Sequence, residues 1–568
     1  MDFIIKYSLE KVLELDVELS LDDFAEKLEP NTLYINKLPH LDYHDFKLNG
    51  KREILCGDVI GKPLLDSQTS TKRGFFYRFI IDENKKSIEI MPDFHCMLPV
   101  YYSELGNLAI ISSSYNSILK ELKTTSKSDS FYAEIAVLYS SLGDSTYIKE
   151  IKRLTYGKSI ILSNAKLHAV QNYRFYDNLA EFPHKFEKAI HDVTDCFVDK
   201  SGDYFESSNA ISLTGGFDGR TITGCAHYHK TDFINFSYGK IGSPDVDVPI
   251  SLSQKLGLNY SLIELNREYL HDQHLQCLRE YLLNTGGLNG FLYPQSIFYV
   301  KKLGRFWNNI VTGYMGSEVL RSTREPDCEI ISPAIFDILL NGITQNNWAY
   351  SRCGHFKELE LITSTQDITD VLNNISQYFM DLPQDLSLNQ KFISYAYENL
   401  YRNTFGPWIY NGMHYSKIRA PFLDYDFFKS ISTTEVSQFY KPFPETKLSK
   451  RMRNLVFYAV VLDKTWPELG KLPISKGYSP IDLISATGKL NILLNYSKAK
   501  KKKDIHGLDK LNSVSGANQY INSLINTETI NPTLIERIKN LMMHDAYSRT
   551  YSFLALSKLE YNLLLEKQ

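Results

Sequence analysis

The sequence carries almost no excess charge: 63 Lys and Arg against 66 Asp and Glu leave a formal net charge of −3. A field that weak gathers neither a phosphate backbone nor an anionic bilayer, so nucleic acid and membrane surfaces drop out as principal ligands. Long hydrophobic runs are missing too. No stretch reaches the roughly 18 apolar residues of a spanning helix, and Met1-Asp2-Phe3-Ile4-Ile5-Lys6 lacks the basic-then-apolar order of a secretory leader. A soluble, cytoplasmic chain is expected. Cysteine is sparse: seven residues, at positions 56, 96, 196, 225, 277, 328 and 353, and never as Cys-x-x-Cys. An odd, scattered set excludes a disulfide framework or a thiolate zinc cluster and reads as small buried hydrophobes. No internal repeat is visible.

What is present is globular. Hydrophobic residues make up 43% and charged residues 23%, and 568 residues exceed a single core, so two to four domains are expected. The 13% aromatic content suits core packing better than a sugar-stacking surface. Up to about residue 120 the apolar residues fall in short alternating runs, such as Phe75–Ile81, then Asp82-Glu83-Asn84, then Ser87–Ile90, which is hairpin spacing. Strands are expected at Leu98–Tyr102 and Leu108–Ser112, a helix near Tyr115–Leu119, another over 131–142 ending at Gly143, and a hairpin around Ile151–Leu162. Residues 1–185 therefore read as an α+β lobe. From 186 to 568 the rhythm becomes strand, loop, helix, strand, which predicts an α/β doubly wound parallel sheet followed by a helical C-terminal part. Its expected strands are Ala210–Leu213, Asp232–Ser237, Tyr260–Leu265 and Asn309–Thr312, and its expected helices are Arg220–His229 and Val246–Leu256, the latter closed by Gly257. The lysine run at 498–503 reads as a solvated or disordered loop.

The chemistry concentrates in Leu213-Thr214-Gly215-Gly216-Phe217-Asp218-Gly219-Arg220-Thr221, between a predicted strand and a predicted helix. Two glycines at a strand-to-helix turn let backbone N–H groups converge at the positive end of the helix, where an anion belongs. An acid in such a loop makes sense if it holds Mg²⁺ against phosphate oxygens. On spacing alone, an ordinary strand-to-helix turn is the favoured reading, and the wider context reverses that.

The wider pattern resembles the asparagine synthetase family, whose pyrophosphatase-type loop reads Ser-Gly-Gly-x-Asp-Ser. Asp232–Ser237, Gly242-Ser243-Pro244-Asp245-Val246-Asp247 and Leu256-Gly257-Leu258 follow in the family's order. Val311-Thr312-Gly313-Tyr314-Met315-Gly316-Ser317-Glu318-Val319-Leu320-Arg321 is similar to its second loop, Ser-Gly-x-Gly-Gly-Asp-Glu-Leu. Arg419-Ala420-Pro421-Phe422-Leu423-Asp424 is close to Arg-x-Pro-Phe-Leu-Asp, and Leu472–Pro480 resembles the lysine-bearing element. In the first lobe, Phe75–Ile81, Asp93, Pro99–Tyr102, Leu108–Ser112 and Ser145–Gly157 resemble the glutaminase half.

The resemblance implies an Ntn-hydrolase-like αββα first lobe and an ATP-binding second one that activates a carboxylate as an acyl-adenylate for attack by an amine. ATP and Mg²⁺ are the implied cofactors. Leu213, Thr214, Gly215, Gly216, Phe217, Asp218, Gly219, Arg220, Ser237, Gly313 and Gly316 would line the nucleotide, Asp218 and Glu318 would hold the metal, and Lys476 and Tyr314 would be catalytic. Partners would be a small-molecule or peptide carboxylate and an amine donor, with a homodimer plausible.

Three departures bear on this. The family's nucleophilic cysteine directly follows the initiator methionine, whereas Asp2 stands here, and a carboxylate cannot form the glutamyl thioester. Glutamine hydrolysis is expected to be absent. Ser317 replaces the second loop's aspartate and Gly219 its first loop's last hydroxyl. Lys417 stands where the family often has a Glu that, in the β-lactam synthetase branch, partners a tyrosine matching Tyr314. Three outcomes stay open: an amide ligase that takes its amine from elsewhere, a catalytically inactive nucleotide-binding scaffold, and an ammonia-dependent asparagine synthetase.

Overall fold

The computed structural model describes residues 2–9, 16–20, 29–61, 72–321, 331–443, 452–501, 517–522, 532–542 and 546–567. The chain is a mixed α/β protein with three sheets. The first contains β1 (Phe3–Ser8), β2 (Asp16–Ser20), β3 (Thr32–Asn36), β8 (Tyr101–Leu105), β9 (Leu108–Ser112) and β10 (Lys152–Arg153), in the order β10-β8-β9-β1-β3-β2. The second contains β4 (Asp42–Leu48), β5 (Lys51–Val59), β6 (Gly74–Asp82), β7 (Ser87–Met91), β11 (Lys158–Ser163) and β12 (Lys166–Gln171), in the order β12-β11-β7-β6-β5-β4.

Period-two alternation explains how these two sheets are used. Phe3, Ile5 and Tyr7 of β1 join Ile54, Tyr77, Phe79 and Ile90 of the second sheet in one core, with the Phe3 ring 5.0 Å from Tyr77 and 4.9 Å from Phe79. Ile4, from the opposite face of the same strand, joins Phe131 and Ile135 of the helix Asp129–Leu138 in another. Each sheet therefore buries one face on the other, and the first sheet buries its second face under a helix.

The third sheet is all parallel: β13 (Asn209–Ser212), β14 (Phe233–Gly239), β15 (Tyr260–Glu264), β16 (Asn309–Val311) and β17 (Lys417–Arg419), in the order β15-β14-β13-β16-β17. The chain leaves β13 through the helix Asp218–Tyr228 toward β14, then through Pro244–Leu256 to β15, and afterwards returns to the other side of β13. Gly257 closes the second of these helices in the left-handed conformation, φ 65°. The loops after β13 and β16 consequently lead away in opposite directions. In open parallel sheets that divergence opens a crevice beyond the strand ends.

Several sequence expectations shift. The helix expected to run to Gly143 stops at Leu138, because Tyr139 takes the left-handed conformation, φ 61°. The expected 151–162 hairpin does not form: Lys152–Arg153 pairs with Tyr101–Tyr102 in the first sheet, and Lys158–Ser163 pairs with Ser87–Ile90 and Lys166–Gln171 in the second. The strand expected at Leu98–Tyr102 starts only at Tyr101. Lys498–Lys501 continue the helix Gly488–Lys501 rather than a loop, and Lys502 and Lys503 lie outside the described residues, as does Cys328. The remaining cysteines are free thiols, all buried except half-buried Cys196. Among the described residues no helix is long and apolar enough to cross a membrane.

Candidate functional site

β13 ends at Ser212, and Leu213–Phe217 turn the chain into a helix that begins at Asp218. Phe217 stands at its N-cap, and its ring offers no hydrogen-bond acceptor, so the first-turn amides receive no side-chain cap from it. Gly215 and Gly219 are required for space rather than for left-handed backbone. A Cβ on Gly215 would lie 2.8 Å from the Pro244 carbonyl oxygen, and one on Gly219 would lie 2.3 Å from that of Ser212. That close helix-to-strand approach explains why position 219 cannot carry a hydroxyl. The Gly215 N–H donates to Asp245 Oδ1 at 3.1 Å, and the Gly216 N–H reaches Thr214 Oγ1 at 3.4 Å.

The second loop folds onto Asp218. A Cβ on Gly313 would sit 2.7 Å from Asp218 Cβ, one on Gly316 would sit 2.5 Å from Asp218 Oδ1, and Met315 between them is left-handed, φ 67°. Ser317 Oγ donates to Asp218 Oδ2 at 2.8 Å, and Tyr458 OH donates to Oδ1 at 2.5 Å. The Arg321 guanidinium donates in turn to Ser317 Oγ. Glu318, 7% exposed, is pushed up to about 7 by burial first and then by the Asp218 charge, against a smaller opposing pull from Arg321. The Gln438 amide donates to the Glu318 carbonyl oxygen. Burial first, then the same Asp218 charge, also drives the Tyr458 hydroxyl well above its ordinary value, so it stays a donor.

Lys476 sits at the tip of a turn closed by Ile474 N–H to Tyr478 O at 2.9 Å, with Gly477 at φ 85°. The neighbouring Ser475 N–H donates to the Gly215 carbonyl at 2.9 Å, which seats this turn against the glycine loop across more than 250 residues of sequence. Arg220, 0% exposed, reaches the base of the same segment, donating to Leu472 O at 2.5 Å and Pro473 O at 3.0 Å. Buried Ser237 spends its hydroxyl on Leu213 O at 2.5 Å, supporting the loop from beneath.

Tyr314 stands apart from this group. Its hydroxyl pairs with Tyr299 OH at 2.5 Å and its ring lies among Phe405 and Trp408. Burial, and then the neighbouring tyrosines, raise it well above the ordinary phenol range. Lys417, where a carboxylate partner would stand, turns instead to Glu206 at 3.0 Å, Asp42 at 3.5 Å and Asp58 at 3.8 Å. Sequence reasoning did not single out Tyr458, Arg321 or Gln438, since nothing local marks them. Asp245 was visible as an acidic helix start but not as a partner of Gly215.

Among the described residues no group of three or more His, Cys, Asp or Glu side chains forms a metal cage. Magnesium does not need one, since it takes one or two carboxylates and completes its shell with substrate phosphates and water. Asp218 and Glu318 are two carboxylates close enough for the charge of one to raise the other, a repulsion of the kind a divalent cation relieves. No protein-family model and no curated protein matches the chain.

Proposed function

We propose that this protein is an ATP-dependent, AMP-forming amide ligase of the asparagine synthetase type, with an Ntn-like first lobe that no longer hydrolyses glutamine and a pyrophosphatase-type second lobe. One observation carries the reading: at the point where the parallel sheet changes direction, between β13 and β16, the Asp218 carboxylate meets Ser317 and the charge of Glu318. Uncapped helix amides, a glycine-lined turn and a lysine turn border the same place.

In this reading the amides after Phe217 bind phosphate oxygens, and Lys476 supplies positive charge where a leaving pyrophosphate accumulates negative charge. Asp218 and Glu318 would hold Mg²⁺, which neutralises phosphate charge when bound. Tyr314 orients by packing; with Tyr299 as its hydrogen-bond partner and its hydroxyl held protonated, it does not deprotonate the amine. The amine comes from outside the chain, since Asp2 provides no thiol.

The test is acid-dependent exchange of labelled pyrophosphate into ATP, with Mg²⁺ and a broad panel of carboxylic acids that includes amino acids and peptides. Exchange with at least one acid supports the ligase; exchange with none rejects it. If aspartate is that acid and ammonia completes the reaction, the enzyme is an asparagine synthetase.

A second reading, an inactive nucleotide-binding scaffold, draws on the two internal donors that already occupy the Asp218 oxygens. Calorimetric titration with Mg·ATP separates the two, because a scaffold binds without turnover.

A further inference from the structure

Among the described residues the buried guanidinium of Arg220 meets no counter-charge. It is 0% exposed, and among the described residues its only hydrogen-bond acceptors are the carbonyls of Leu472 and Pro473 while its Nε has none. Among the described residues no carboxylate lies within ion-pair distance of it. Arg419 is held by Asp58 and Glu206, whereas among the described residues buried Arg402 and Arg153 also make only neutral hydrogen bonds, to Leu154 O and to Asn403 Oδ1 and Arg402 O; what sets Arg220 apart is its place beside the glycine loop. A desolvated cation with only two neutral acceptors is an expensive arrangement, and the cost falls when negative charge arrives nearby in the same low-dielectric surroundings.

Its position gives that cost a use. Arg220 lies two residues after Asp218, in the first turn of the helix whose amides face the glycine loop. The carbonyls it grips belong to the segment that continues to Ser475, whose N–H is bonded to Gly215 O, and to Lys476. Helix and lysine turn are thus joined at two points, one by guanidinium and one by backbone.

We propose that Arg220 is a positioning residue: it straps Leu472–Pro473 to the helix so that the Lys476 turn stands at the rim of the glycine loop, and its own charge is balanced only when a pyrophosphate-bearing ligand occupies that loop. The proposal rests on the nucleotide reading for its ligand but not for the strap.

Two variants separate the parts. Arg220→Gln keeps a two-proton donor and removes the charge, whereas Arg220→Met removes both. With inorganic pyrophosphate as the probe in calorimetry, Arg220→Gln is expected to bind about tenfold more weakly than wild type, through the lost long-range attraction. In hydrogen–deuterium exchange of the ligand-free protein, Arg220→Met is expected to speed exchange across 474–478, with Arg220→Gln closer to wild type. Pyrophosphate affinity unchanged in Arg220→Gln would overturn the charge role, and exchange unchanged in Arg220→Met would overturn the strap. A wild-type protein that binds neither pyrophosphate nor ATP would reject the nucleotide reading and the charge role together, while the exchange result still decides the strap alone.

Discussion

The carboxylate of Asp2 accepts a hydrogen bond from the hydroxyl of Tyr410 at 2.5 Å, joining the first strand's sheet to the helix Arg402–Met413. Ser113 Oγ donates to the same oxygen, Oδ1, at 3.1 Å, and His414 Nε2 lies 3.2 Å from the other, Oδ2. Asp2 is therefore a staple between distant parts of the chain.

Burial alone would raise the Asp2 carboxyl, but the His414 imidazole and the donors around it outweigh burial and hold it well below the usual carboxylate range. A depressed carboxyl stabilises the fold above its unfolded value and loses that contribution as pH falls toward its folded one. Asp2→Asn should therefore cost about 1–3 kcal/mol at pH 7, with the gap to wild type narrowing below about pH 4. Thermal denaturation across pH measures this, and equal melting temperatures at pH 7 would contradict it.

Glu318 has the opposite sign. Burial and the Asp218 charge push its folded carboxyl up to about 7, above the ordinary glutamate range, so the native state holds the proton longer and stability falls as pH rises from that range toward 7. The loss is on the order of 3 kcal/mol by linkage. Glu318→Gln should flatten that part of the stability profile relative to wild type. The comparison must be made between the two proteins, because buried Asp93 and Glu134 are also raised to about 7 and slope in the same direction. Parallel profiles for wild type and variant would show that Glu318 titrates normally.

Much of this architecture was legible because it is written locally. Alternation in Phe75–Ile81 and the strand–loop–helix rhythm after 186 mark elements whose periods are intrinsic to them. The failures are equally physical. β10 and β17 are two and three residues long, too short to carry a period, and they exist only because neighbouring strands supply partners. Tyr139 ends a helix where glycine would have been expected, so no local residue announced it. At the candidate site, Asp218 and the glycines were readable as a loop. Tyr458, 240 residues away, was not, since its role exists only after folding brings it to the carboxylate.

Gly316→Ala tests how closely the second loop clasps Asp218. The new Cβ would stand 2.5 Å from Asp218 Oδ1 and crowd the Phe422 ring at 2.9 Å, so the carboxylate must swing or the loop must lift. A loss of about 1–3 kcal/mol is expected from the crowding, with a disproportionate loss of Mg·ATP affinity. Gly257→Ala is the control: it has φ +65° and no neighbour within 4 Å, so it should lower stability through backbone strain alone, by about 1 kcal/mol, and leave nucleotide binding unchanged. Calorimetry on both variants decides, and equal effects on affinity would remove the special role of Gly316.

Asp58 and Arg419 form a bidentate pair at 2.8 and 2.8 Å, both side chains buried, linking β5 to β17 across 361 residues of sequence. The Arg419 guanidinium also reaches Glu206 at 2.9 Å, but that acid is one-third exposed and shared with Lys417. Removing Asp58 leaves buried Arg419 with partly solvated Glu206, which it shares with Lys417, while Lys417 keeps Asp42, so Asp58→Ala should cost about 3–5 kcal/mol, the range for a buried charge stripped of its partner. Replacing both members with apolar residues removes the uncompensated charge, so Asp58→Leu with Arg419→Met should recover most of that loss. If the double variant is as unstable as the single, the two charges do more than neutralise each other, and the pair is fixing the register of the short β17 strand, which only three residues otherwise define. Urea denaturation of the three proteins gives the comparison directly.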